Sequence, residues 1–184
     1  MFTRHQPVTI ITFEGQVQSI LINEKNIQLK PFGTEDIDFL LLWNNDQDYT
    51  GEFEPFEPAS KGELEKWLPR EKPSQLWYII ENKLGVKVGQ MVDRYQKDSS
   101  VQIGYRIIPP ARGKGYCTEA VSTLIRYLFD QGIVRITAEV NPRNGSSLRV
   151  LEKLGFSKIE YREKAVELNG LWHDGIVYEL RRED

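Results

Sequence analysis

Apolar positions near the start of the chain cluster in two short runs. The runs at 8–13 (VTIITF) and 16–22 (QVQSILI) are rich in β-branched residues and flank Glu14-Gly15, a two-residue turn signal, so they predict a β-hairpin. A third strand is predicted at 26–32 (NIQLKPF). The pattern then changes. Behind Thr34, an N-cap residue, Ile37, Leu40, Leu41 and Trp43 recur at helical spacing. Two prolines make 51–58 (GEFEPFEP) a loop, and Ser60 with Glu63 has the capping-box spacing for a helix over 61–68. Strands follow at 75–81, 88–95 and 101–108, with turns at 82–85 and 97–100.

In the second half, helix and strand patterns alternate. Val121, Leu124, Ile125 and Leu128 share one face of a helix that stops at Gly132. A strand at 133–140, a loop, and a short helix capped by Ser146 or Ser147 come next. Two final strands, 156–168 and 170–181, meet at the turn pair Asn169-Gly170. Trp43 and Trp67 read as core residues. The pattern predicts an α/β (α+β) chain, with a mixed, mostly antiparallel central sheet flanked by helices and an extra N-terminal β-hairpin. Hairpin links between consecutive strands over 75–108 exclude a doubly wound sheet. The division is residues 1–25 as a hairpin extension and 26–184 as a single domain.

Composition narrows the chemistry. With 24 Lys and Arg against 27 Asp and Glu, the net charge is −3, which argues against nucleic acid as a partner. A lone cysteine, Cys117, excludes an internal disulfide framework, and two histidines exclude an all-histidine metal centre, so no metal is expected. No apolar run approaches the ~18 residues of a membrane span, and the N-terminal run is too short and polar-flanked for a signal peptide. The expected compartment is the cytoplasm.

The sharpest local signal is 107–120 (IIPPARGKGYCTEA), where a strand runs into a glycine-rich turn that opens onto an amphipathic helix. Such a turn aims main-chain N–H groups at one point, and the helix dipole adds positive partial charge there. Gly113 and Gly115 permit close approach, and Arg112 and Lys114 add two positive charges, so an anion such as a pyrophosphate fits. Taken alone, the segment equally fits a tight turn with two solvated basic residues. It is neither a P-loop nor a dinucleotide fingerprint.

The run 103–120 (IGYRIIPPARGKGYCTEA) resembles the acetyl-coenzyme A signature of the GNAT superfamily of N-acetyltransferases, matched at Arg112, Gly115 and Cys117. Cys117 departs from the last small residue of that pattern. Downstream, 144–156 (NGSSLRVLEKLGF) is similar to a second element, Asn-x-x-Ser followed by a helix ending in Lys-Leu-Gly-Phe. The ending 168–180 (LNGLWHDGIVYEL) resembles the branch that acetylates N-terminal alanine or serine of ribosomal proteins.

The resemblance implies a GNAT-type domain that uses acetyl-CoA as co-substrate, with a primary amine attacking the thioester directly. The pantetheine arm would lie between the strand ending at Ile107-Ile108 and the strand at 133–140, with an N–H near Ile107 or Ile108 polarising the thioester carbonyl. The main chain of Arg112, Gly113, Lys114, Gly115, Tyr116, Cys117 and Thr118 would hold the pyrophosphate. Asn144 would bond the pantetheine, and Ser147 would protonate the leaving thiolate, although either could instead be a turn or cap residue. Cys117 is not expected to be a nucleophile.

For the general base, the position many family members fill with glutamate holds Gln102, which cannot take a proton. Glu167 is a candidate, shifted by one residue from the branch position held by Val166, and His173 beside Asp174 is another, with a structural histidine as its plainer reading. An α-amine of pKa ~7.8 is about 15% neutral at pH 7, and a lysine of pKa ~10.4 under 0.1%, which favours weakly basic acceptors. Glu52, Glu54, Phe56 and Glu57, with Phe53, form an acidic and aromatic loop that could dock a cationic small-molecule, peptide or protein amine, or simply be a solvated loop. Two other classes stay open: a GNAT-like domain that binds coenzyme A without turnover, and a nucleotide-phosphate binder. The N-terminal hairpin could extend the sheet or pair with a second copy as a homodimer.

Overall fold

Hairpin connections make consecutive strands neighbours, and the sheet follows chain order almost to its end. The computed structural model describes residues 9–13, 16–23, 25–68, 74–168 and 170–183. Its strands are β1 (Thr9–Phe13), β2 (Gln16–Asn23), β3 (Ile27–Pro31), β4 (Gln75–Asn82), β5 (Lys87–Tyr95), β6 (Val101–Ile107), β7 (Arg135–Val140), β8 (Ser157–Leu168) and β9 (Leu171–Arg181). They form one sheet in the order β1-β2-β3-β4-β5-β6-β7-β9-β8. Every neighbouring pair is antiparallel except β6 and β7. The mixed, mostly antiparallel architecture expected from the patterning is therefore present. The hairpin β1–β2 continues the sheet beyond β3, pairing Ile22 with Leu29 and Asn23 with Gln28. The turn at Glu14-Gly15 and the turn residue Asn169 lie outside the described residues.

Among the described residues, five α-helices join the strands: α1 (Ile37–Asn44), α2 (Gln47–Thr50), α3 (Lys61–Leu64), α4 (Tyr116–Asp130) and α5 (Gly145–Lys153). The start of α1 differs from the expected Thr34 cap. A 3₁₀ turn over Thr34–Asp36 precedes it, and the Asp36 carboxylate accepts from Gly33 N at 2.9 Å. Ser60 and Glu63 make the expected capping box on α3, which tightens into a 3₁₀ turn at Glu65–Trp67. The one-turn helix α2 has no counterpart in the periodicity; it forms because the Asp46 carboxylate accepts from Asp48 N and Tyr49 N. The cap of α5 is Asn144, not Ser146 or Ser147, with Oδ1 accepting from Ser147 N at 3.1 Å.

The sheet has a core on each face. On one, Val121, Leu124 and Leu128 of α4 and Leu151 of α5 pack on Ile103, Ile107, Ile136, Ala138 and Tyr178. On the other, Ile37, Leu40 and Trp43 of α1, with Tyr49 and Leu64, pack on Phe32 and Ile79. Glu119 locks α4 to the start of β3, accepting from Asn26 N at 2.6 Å and Asn26 Nδ2 at 2.8 Å. Between β6 and β7 the pairing covers only Val101 with Ile136 and Gln102 with Thr137. From Ile103 onward the two strands diverge, and that gap positions the site.

Candidate active site

β6 ends at Ile107, passes through a 3₁₀ turn at Pro109–Ala111, and reaches α4 through Arg112–Gly115. Gly113 and Gly115 have φ of 73° and 82°, a region that favours glycine, and no atom lies within 4 Å of where a Cβ would stand on either. Because the N-cap of α4 is Gly115, no side chain caps the helix. Its first N–H groups, at Tyr116, Cys117 and Thr118, have no intrahelical acceptor. Open space in front of uncapped amides at the positive end of a fifteen-residue helix fits a phosphate group. Lys114 lies exposed in this turn.

Arg112 serves the turn differently from the expected anion contact. Its Nε donates to Ile107 O at 3.1 Å, and one terminal nitrogen donates to Asp48 O at 3.1 Å and Tyr49 O at 3.3 Å. Its own N–H is bonded to Pro109 O. The residue therefore braces the end of β6 against α2, and both its side chain and its amide are engaged. Cys117 is half-buried, and burial pushes its thiol up to about 12, so it stays protonated at neutral pH.

In the gap itself, Ile108 N donates to Val88 O at 2.9 Å and so belongs to the ladder with β5. Strand alternation turns the Ile107 N–H the other way, toward β7. Of the two expected oxyanion positions, Ile108 is occupied and Ile107 faces the gap. Across it, Tyr105 Oη and Ser147 Oγ are 2.8 Å apart. Burial holds the Tyr105 phenol well above its usual range, with the Ser147 bond acting weakly against it, so it is a neutral hydroxyl at pH 7. The sequence pattern gave no hint of this pair, whose members lie 42 residues apart. Asn144 sits at the same end of α5. Its Oδ1 is taken by Ser147 N and by Ser146 Oγ at 2.8 Å, which leaves Nδ2 as the group free to meet a ligand.

On the α1–α3 face, a cleft of about 570 Å³ opens over β5 and β6. Register explains its floor: Gln90, Val92 and Arg94 of β5 pair with Arg106, Gly104 and Gln102 of β6, and paired residues share a face. Phe53, Glu54, Pro55 and Glu57 of the acidic loop line one side, and Glu139, Asn141, Ala165, Val166, Asp174 and Gly175 another. Glu54 lies 3.5 Å from Arg106. Glu52 and Phe56 are not among the lining residues, whereas Phe53 is. Trp43 is in the core, as expected, but Trp67 stacks on Trp77 at 4.3 Å and both line the cleft.

Neither Glu167 nor His173 lines the cleft. Glu167 is exposed and pairs with Trp172, while its neighbour Val166 takes the inward place. An irregularity in β8 between Arg162 and Val166, with Lys164 at φ 50°, sets this phase. His173 is half-buried on β9, opposite Val166. Asp174 does reach the cleft, but it accepts from Tyr161 Oη and from Lys164 N, which hold its carboxyl below the ordinary range and make it a poor base. Among the described residues no group of three or more His, Cys, Asp and Glu is placed to hold a metal ion. No described helix is long and apolar enough to cross a membrane.

The family model described as the acetyltransferase (GNAT) domain matches residues 26–157, spanning β3 to the start of β8. The chain belongs to the GNAT acetyltransferase family. It is 43% identical over 83 residues to a probable N-acetyltransferase, YjcK, of Bacillus subtilis, covering 45% of this chain and 46% of that one. It is 36% identical over 83 residues to the ribosomal protein uS5-alanine N-acetyltransferase of Escherichia coli, covering 45% and 43%. Each match spans about half the length of the relative. Among solved structures, a GNAT acetyltransferase from Bacillus anthracis superposes with a TM-score of 0.76 at 22% identity, covering 88% of this chain and 98% of that one. A spermidine N-acetyltransferase from Vibrio cholerae, in complex with CoA and spermine, superposes with a TM-score of 0.73 at 20% identity, covering 84% and 95%. At these identities the superpositions establish the shared fold.

Proposed function

We propose that this GNAT-family chain transfers the acetyl group of acetyl-CoA to a primary amine, by direct attack within a ternary complex. The observation that carries this reading is the divergence of β6 from β7 immediately before an uncapped glycine turn. Acetyl-CoA supplies an activated acetyl thioester. The main-chain N–H groups of Gly113 to Thr118, with the charge of Lys114, hold its pyrophosphate, while Arg112 keeps the turn in place through α2. Asn144 Nδ2 bonds the pantetheine. The Ile107 N–H binds the thioester oxygen as negative charge develops on it. Ser147, hydrogen-bonded to the neutral Tyr105 hydroxyl, passes a proton to the departing thiolate and regains one from the water that takes up the amine proton.

The amine arrives through the cleft beside Glu54 and Glu57. Gln102 on its floor cannot take a proton, and Glu167 and His173 lie outside it. Glu139, Asp174 and Glu54 are engaged by Arg162, by Tyr161 and Lys164, and by Arg106, so the amine proton leaves to water. An acceptor with an appreciable neutral fraction at pH 7 therefore reacts best. Amines are also the acceptors named for the E. coli alanine and V. cholerae spermidine relatives.

The test is a panel of N-terminal peptides, polyamines and amino compounds incubated with acetyl-CoA, with mass-spectrometric detection of acetylated product. At least one class is acetylated, and Ser147→Ala lowers its turnover by about ten- to hundredfold with acetyl-CoA affinity nearly intact. Gln102 favours one second reading, a CoA-binding module without turnover. Tight binding with no product from any amine would establish that reading instead.

A further inference from the structure

The floor of the cleft carries an arginine that the transfer reaction does not use. Arg94 is half-buried, and its guanidinium makes no hydrogen bond and no ion pair among the described residues. Its one described contact is the Trp77 ring, 5.8 Å from Cζ. Exposed arginines without partners are ordinary, but a half-buried one loses hydration, and here only the Trp77 ring and the more distant charge of Glu54 act against that loss. Burial, the largest cause, holds its pKa below the usual range, and Arg106 acts in the same direction against Glu54.

This side chain lies beside Gly104. Gly104 lies between Gln102 and Arg106 on the same face of β6, and a Cβ there would stand 3.6 Å from one terminal nitrogen of Arg94 and 3.1 Å from Val92 Cγ1. The guanidinium therefore lies over Gly104, toward Arg106 and the open gap. Arg106 has a partner, but a loose one: Glu54 at 3.5 Å, 55% exposed. Such a pair contributes about 0–1 kcal/mol and is readily exchanged for a ligand. Two further polar groups of the cleft lining are buried and unpartnered, Trp77 Nε1 and Asn141 Nδ2, and both are donors. The acceptor Gln90 Oε1 is unpartnered as well. Three of the four unsatisfied groups at this site thus ask for an acceptor of hydrogen bonds.

We infer that the amine acceptor carries a carboxylate, and that Arg94, assisted by Arg106, reads it on the cleft floor. The inference rests on the acetyl-transfer reading above and names its substrate class: an amino acid, or a short peptide with an acidic side chain near its N-terminus. A planar guanidinium grips a carboxylate with two parallel hydrogen bonds, which an amide group cannot reproduce. Glu54 and Glu57 then face the ammonium end of the same molecule, so both signs of charge in the cleft have a use.

Acceptors paired to differ in that group test this. Alanine is compared with alaninamide, and the peptide amide Ala-Glu with Ala-Gln, by kcat/KM for acetylation expressed per neutral amine, because a free α-carboxylate raises the pKa of the amine beside it. In at least one pair, the acid exceeds its neutral partner by about tenfold or more, as expected for a charge-assisted bond. Arg94→Gln brings that ratio to within about twofold of one, chiefly through KM, and Arg94→Lys restores part of it. The pair that responds identifies which source of carboxylate is read. Equal rates within both pairs, or an equal loss for acid and amide in Arg94→Gln, would overturn the inference. A second readout needs no turnover: the acids are titrated calorimetrically into CoA-saturated protein, where no acetyl group is present. Heat from an acid but not from its amide, absent in Arg94→Gln, supports carboxylate recognition even if every amine fails to react. No heat from any acid counts against it even where acetyl transfer succeeds.

Discussion

Asn144 combines a structural role with the proposed binding role in one side chain, and the two can be separated. Its Oδ1 caps α5 through Ser147 N, and in doing so orients Ser147 toward Tyr105. Its Nδ2 is the group assigned to the pantetheine. Aspartate is as good a cap as asparagine but offers no amide donor. Asn144→Asp should therefore melt within about 2 °C of the parent while binding acetyl-CoA about tenfold more weakly. Asn144→Ala should lose about 1 kcal/mol of stability in addition. Thermal melts with calorimetric titration check both, and unchanged affinity in Asn144→Asp would return the residue to a purely structural role. That Asn144 is the cap could not be decided from the sequence, where Asn144, Ser146 and Ser147 are three good capping residues within four positions. Arg112 shows the reverse difficulty. Its place in the motif was plain, but its bonds to Asp48 and Tyr49 depend on α2, which one turn of helix does not announce.

Between elements, Asp93 ties β4 to β5 from within the core. It is fully buried, with Oδ1 accepting from Leu76 N at 2.9 Å and Oδ2 from Tyr78 Oη at 2.9 Å. Burial outweighs both bonds and raises its carboxyl from 3.8 to about 6. Across that interval the folded chain holds a proton that the unfolded chain has released. Stability from this group is therefore full below pH ~4, falls as pH rises, and levels off above pH ~6, a change on the order of 3 kcal/mol. Denaturant melts of the parent and Asp93→Asn across this window should give a stability difference that shifts in favour of the asparagine as pH rises, and a flat difference would contradict the assignment.

Strand positions were legible because short runs of β-branched and aromatic residues are bounded by turn residues, and β4, β5 and β6 end within one residue of the pattern. What each face meets was not legible. Arg94 reads as an ordinary mid-strand charge until its pairing with Gln102 places it over the cleft. Glu167, one residue from the branch position and expected on the other strand face, does lie outside the cleft, because the irregularity in β8 turns Val166 inward. Irregularities of this kind shift phase by one residue, and side-chain period two converts that into the opposite face.

At the scale of the molecule, the net charge of −3 hides an ordered layout. Lys114 and the uncapped end of α4 make one positive site at the glycine turn, and on the opposite face the cleft sets Arg94 and Arg106 against Glu54 and Glu57. The β6–β7 gap connects the two, and in the proposed reaction a phosphate-bearing acyl donor and a small charged acceptor approach from different sides and meet beside Tyr105 and Ser147. The hairpin β1–β2 lengthens the sheet at the far side from this gap. The central claim is that the gap and glycine turn together form an acetyl-CoA site. Isothermal titration of the intact chain with acetyl-CoA, and separately with ATP, tests it most directly. One acetyl-CoA should bind per chain with a Kd in the tens of micromolar or tighter, and ATP should bind much more weakly. Absence of acetyl-CoA binding at those concentrations, or equal affinity for ATP, would contradict it.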